Sequence, residues 1–163
     1  MAHYKLILED DVKEEFALIA IHCSEEAYKM AFLLNQLVHL RLQRRRTDVD
    51  YSNDGLEITF PLFQFEDQTH YTTYDLVANK CKTMLAHTVA SGNLFGDGTT
   101  EDMVTKYLIP ELKKVDFLLK ITSDYDAIPL RKLLMQINEI NQVISAYTIE
   151  TDQLKSKDNL IFD

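Results

Sequence analysis

The sequence predicts an α+β fold in which two helices cover one face of a mainly antiparallel sheet, as a two-layer sandwich. Three observations carry that expectation. Two stretches repeat apolar residues at helical spacing, around Ala27–Val38 and Leu130–Ile140. Several shorter runs are continuous in apolar residues or alternate with period two. Turn-forming clusters separate the runs in the middle of the chain, which favours hairpins over crossovers.

Taken in order, residues 3–9 alternate weakly and suggest a short strand, followed by the acidic stretch Glu9-Asp10-Asp11. Phe16 to Ile21 is continuously apolar, as expected of a central strand. Ser24 is a suitable N-cap, with Glu25 and Glu26 placed for the first turn of a helix. Ala27, Met30, Ala31, Leu34, Leu37 and Val38 give that helix its apolar stripe, and it is expected to end near His39. Leu40 to Arg46 reads as an edge strand, because charge on an edge discourages pairing between sheets. Ser52-Asn53-Asp54-Gly55 predicts a turn before Leu56–Leu62. Pro61 removes a ladder donor from that run, so an edge position or a bulge is expected there.

Glu66-Asp67-Gln68-Thr69 predicts the next turn, and Tyr71–Ala78, rich in Tyr, Thr and Val, the next strand. Residues 80–107 break the regularity. Short helices are predicted over 82–89 and after Thr100, around a loop that holds Gly92, Gly96 and Gly98. Val115–Ile121 and Val143–Ile149 read as strands. They flank a second amphipathic helix with Leu130, Leu133, Leu134, Ile137 and Ile140 on one face and Pro129 in its first turn. The order strand, helix, four strands, helix, strand resembles a ferredoxin-like unit with an extra hairpin.

At 163 residues the chain suits one domain, 1–163, that folds without staples. A net charge of −9 opposes nucleic acid and anionic membranes, so neither is expected as a partner. Two cysteines make no disulfide framework, and the N-terminus has no signal-peptide pattern, so a cytoplasmic protein is expected.

No catalytic residue and no metal site is predicted. Cys81 and His87 stand six apart, without the second pair that zinc sites use. Gly92–Gly98 is not followed by the Lys-Ser/Thr of a phosphate loop, so no cofactor is expected there. Arg44, Arg45 and Arg46, with Arg41, form the one basic cluster, suited to an acidic partner or to a solvated edge.

Ile109-Pro110-Glu111-Leu112-Lys113-Lys114-Val115-Asp116-Phe117 resembles the motif I-P-E-x-x-x-V-D-Y of the IPExxxVDY family, small proteins of Bacteroidota. Phe16–Ile21 with the following helix, Asn79-Lys80, and Leu154 to Phe162 extend the resemblance over nearly the whole chain. The resemblance implies no activity, and residues 81–106, longer than the family's pattern, are expected to be a variable insertion. Phe117 stands where the motif has Tyr, which points to an aromatic packing position and away from a hydroxyl-based chemistry. Ile109, Pro110, Val115 and Phe117 are thus expected to be structural. Glu111 and Asp116 are the candidates for binding a ligand or partner, together with Arg44, Arg45 and Arg46. The expected function is a non-catalytic interaction module, self-associating through its helix-free sheet face or binding another protein. A small-ligand regulatory domain is the alternative, and an enzyme of unknown class the third reading.

Overall fold

A computed structural model describes residues 15–53, 56–87, 100–124 and 128–162. The expected strand at 3–9, the acidic stretch after it, Asp54-Gly55 and the loop at 92–98 lie outside these residues.

The main sheet has six strands, all antiparallel to their neighbours. They are β1 (Phe16–Cys23), β2 (Gln43–Arg44), β5 (Leu62–Asp67), β6 (Thr72–Ala78), β9 (Phe117–Ser123) and β10 (Val143–Ile149). Their spatial order is β10-β1-β9-β6-β5-β2. The helices are α1 (Ala27–Leu37), which follows β1, and α2 (Leu130–Asn138), which joins β9 to β10. β1-α1-β6-β9-α2-β10 therefore forms a ferredoxin-like unit, which β5 and β2 extend at one edge. Two ribbons complete the fold, β3 (Val49–Asn53) with β4 (Leu56–Phe60), and β7 (Lys80–His87) with β8 (Thr100–Tyr107).

The strand period of two sorts the core into two faces. Ile19, Ile21, Leu76, Phe117, Leu119 and Ile121 meet Met30, Leu34, Leu133 and Ile137 of the helices. Leu18, Ala20, Val77 and Leu118 point the other way. Ile58 and Phe60 of β4, Leu108, Ile109, Val115 and Leu160 cover them. The helix-free face is thus buried by the chain's own segments. It is not available for the self-association expected of it. Each large apolar side chain buried there contributes about 1.5–3 kcal/mol.

Several local expectations are corrected. Residues 82–87 and 100–107 are strands of one ribbon, where short helices were expected. Cross-strand pairing, invisible to a short window, decides their conformation. The α1 N-cap is Glu26, and Ser24, Glu25 and Glu26 all precede the helix. Only Gln43 and Arg44 of the 40–46 run pair as a strand. Pro61 falls between β4 and β5, where the chain leaves one sheet for the other, so its missing donor interrupts no ladder. Pro129 is the N-cap of α2 and so lies just before the first turn.

Candidate functional site

The motif segment is a folding device centred on Asn79, which is fully buried. Pro110 to Leu112 form one 3-10 turn. The Asn79 side chain donates to the carbonyls of Leu112 (2.8 Å) and Val115 (3.1 Å) and accepts the Ile109 N–H (2.8 Å). Its backbone donates to the Asp116 carbonyl and accepts from Leu108, both at 2.9 Å. One amide thus satisfies a loop that folds over the sheet and would otherwise bury unpaired backbone groups.

Asp116 ties three segments together. Its carboxylate accepts the Cys23 N–H at the end of β1 (2.9 Å) and pairs with the Lys80 ammonium at the start of β7 (2.7 Å). Its N–H donates to Ile21. Burial, followed by repulsion from the Glu25 and Asp116 carboxylates, pushes the neighbouring Cys23 thiol up, despite a backbone hydrogen bond at Glu25. That makes Cys23 a poor nucleophile.

Glu111 is exposed and accepts the Ser156 N–H at 2.8 Å, fastening the C-terminal segment. Desolvation pushes its carboxyl up. Hydrogen bonds from its own N–H and from Ser156 and Lys155 outweigh this and hold it below its ordinary value. Phe117 is buried under the helices, as a packing position requires.

The arginines lie at the far edge of the sheet, with β5 and β6 between β2 and β9. Arg44 pairs with Asp48 and stacks over the Phe63 ring at 5.6 Å. Arg45 donates its backbone N–H to Leu62 (2.9 Å), and Arg46 is exposed. Glu111, Asp116 and the arginines are therefore not gathered into one site.

A polar row crosses the covered face. Asp75 and Lys120, both buried, are register partners on β6 and β9. Gln64 donates to Asp75 at 2.7 Å. Lys120 donates to the Leu160 carbonyl at 2.9 Å, with its ammonium 4.8 Å from the Phe16 ring centre and 5.3 Å from that of Phe162. This row anchors the C-terminal segment.

A cleft lies elsewhere, at the end of the sheet where the β5–β6 turn meets the C-terminal end of α1 and the start of α2. Its volume is about 890 Å³. Its apolar wall includes Leu40, Phe65, Ile128, Pro129 and Leu133. Its polar rim includes Arg41, Asp67, His70, Tyr74, Lys132 and Gln136.

The cleft's backbone is constrained in two places. Among the described residues, the non-glycine residues with positive φ are His39 (63°) and Tyr71 (50°). His39 follows the α1 C-cap Val38 and lines the cleft. It takes the left-handed position that glycine usually fills after a helix, at a cost of about 1 kcal/mol. Tyr71 lies in the turn between the lining residues His70 and Thr72. Asp67 organises the same turn. Its Oδ1 accepts the N–H groups of Thr69 (3.0 Å) and His70 (3.3 Å), and its Oδ2 meets the His70 ring at 2.7 Å. The His70 ring contact, foremost, holds the Asp67 carboxyl below its ordinary value. Burial, then the Asp67 charge, pushes the Tyr74 hydroxyl up, so it stays a neutral donor at physiological pH.

Sequence reasoning did not single out this cleft. Its lining comes from residues 38–41, 65–74, 123 and 128–136, and no local motif joins them. A histidine after a helical stripe is the one local cue, and it is weak. No family model, curated protein or solved structure matches the chain.

Proposed function

We propose that this protein is a non-catalytic domain that binds a small molecule in the cleft between the β5–β6 turn and the two helices. One observation carries the reading. Of the two left-handed non-glycine residues among the described residues, His39 lines the cleft and Tyr71 stands in the turn between the lining residues His70 and Thr72. Such conformations persist where the surrounding structure enforces them, and they concentrate at ligand sites. The volume fits the range of small-molecule sites, and an apolar wall facing a few polar groups is their usual composition.

The motif resemblance supports placing the chain in the IPExxxVDY family, with the motif serving the fold through Asn79 and Asp116. Two free cysteines, Cys23 and Cys81, agree with a reducing cytoplasm. An unidentified protein partner is the second reading. It is favoured by exposed aromatics on the outer face of α1, Tyr28 and Phe32, one turn apart.

A fragment screen read by backbone amide NMR tests the proposal. Hits are expected to shift the resonances of His39, Thr72 and Tyr74. Hits that map to Tyr28 and Phe32, or a screen without hits, would overturn it.

A further inference from the structure

Resting on that reading of the cleft, we infer that its ligand is a small organic anion: an apolar body that carries a carboxylate or a phosphate. The argument concerns which charges of the cleft are already committed. Two cations line it, Arg41 and Lys132, both exposed, and neither enters an ion pair among the described residues. Two carboxylates also line it, Glu66 and Asp67. Asp67 is spent on its own turn, with three contacts to Thr69 and His70. Glu66 projects from the exposed end of β5.

The formal charges of the four cancel, in a chain whose net charge is −9. With Asp67 committed to its turn, the charged groups left to a ligand are the two cations and the single exposed carboxylate of Glu66. An ammonium ligand would meet Arg41 and Lys132 with no free carboxylate except the exposed Glu66. An anion meets both cations, and the Tyr74 hydroxyl and Gln136 amide add donors on the same rim. Arg41 supplies a planar fork suited to either a carboxylate or a phosphate, and Lys132 a point charge. Leu40, Phe65, Pro129 and Leu133 then take the apolar body.

Four naphthalene probes of similar size test this on the full chain: naphthyl phosphate, naphthoate, naphthylmethanol and naphthylmethylamine, each titrated with amide NMR detection. The anions are expected to shift cleft resonances saturably and to bind about tenfold or more tighter than the alcohol, the value of one charge-assisted hydrogen bond. The amine is expected to bind weakest. Which anion binds tighter separates a phosphate ligand from a carboxylate one, and either order supports the inference. Arg41→Gln with Lys132→Gln, both on exposed side chains, is expected to erase the advantage of the anions while the spectrum stays folded. If alcohol or amine matches the anions, the anion inference fails and the cleft reading stands. If no probe shifts cleft resonances, both fail.

Discussion

Asn79 accepts the Ile109 N–H at 2.8 Å where neither residue has any solvent exposure. That contact joins the end of β6 to the motif loop across 30 positions of sequence. Replacing Asn79 by Ala removes the acceptor and the two donors together. It strands the Ile109 N–H and the Val115 carbonyl, while the Leu112 carbonyl keeps the Val115 N–H at 3.0 Å. Each buried unsatisfied group costs about 1–3 kcal/mol, so a loss of about 2 kcal/mol or more is expected in urea unfolding. A loss below about 1 kcal/mol would show that water replaces the amide.

Asp116 and Lys80 form an ion pair whose two halves should not be equivalent. Lys80 keeps 36% of its side chain exposed and can turn to water. Asp116 also accepts the Cys23 N–H, which has no such freedom. Asp116→Ala is therefore expected to cost about 1.5–3 kcal/mol. Lys80→Ala should cost less than about 1 kcal/mol, as for an exposed pair. Equal losses in urea unfolding would assign the whole effect to the ion pair.

Legibility from sequence divides along physical lines. β1, β6, β9 and β10 were readable because each is dominated by apolar, aromatic or β-branched residues, even with Asp75 in β6 and Lys120 in β9. The ferredoxin-like connectivity followed from their order. The β7–β8 ribbon was misread because its pairing, from Lys80 with Tyr107 to His87 with Thr100, is not contained in a local window. The motif drew attention to Glu111 and Asp116, which the fold uses as fasteners. The Asn79 hub beside it was noticed only as part of a resemblance. The cleft was illegible because its strain sits on His39 and Tyr71, where no glycine announces a left-handed turn.

Acid sensitivity should appear at Asp67 and Glu111. Both carboxyls are held below their ordinary values of 3.8 and 4.5 in the folded chain. A depressed folded pKa means that the unfolded chain binds the proton first. The contribution is complete above the ordinary value and is lost as pH falls through the lower folded one. Asp67→Asn and Glu111→Gln are each expected to lower stability at neutral pH and to converge with the parent chain on acidification. Urea unfolding across a pH series reads this directly. A constant gap down to strongly acidic pH would assign the effect to packing.

Asn138 guards an open edge. β10 is the terminal strand of the sheet, and its run Val143–Ile149 contains no charged residue. The Asn138 amide donates to the Ala146 carbonyl (3.0 Å) and accepts the Ala146 N–H (2.8 Å). Asn35 of α1 makes the same reciprocal pair with Leu42, at 2.9 and 2.8 Å. Unpaired edge groups are templates for another strand, so Asn138→Ala opens one. Its direct cost should be about 1–2 kcal/mol. Its distinctive effect should be concentration-dependent association in sedimentation velocity. Asn35→Ala, whose partner Leu42 is outside the paired strands, should cost similarly without association.

Leu160 tests whether the C-terminal segment is part of the core or merely lies on it. Its side chain is fully buried against the helix-free face, and its carbonyl accepts from the buried Lys120. Asn159 adds a bond to the Leu108 carbonyl (2.8 Å), and Ser156 one to Glu111 (2.8 Å). Leu160→Ala should leave a cavity between Leu18, Val77 and Leu118 and cost about 2–5 kcal/mol. The neighbouring Ile161, 56% exposed, should tolerate Ala with little change. The measurement is urea unfolding with hydrogen exchange at Ser156. A segment that merely lies on the core would release the Ser156 amide while global stability held. A segment that belongs to the core loses both together, because the Leu160 side chain is part of the buried cluster on that face.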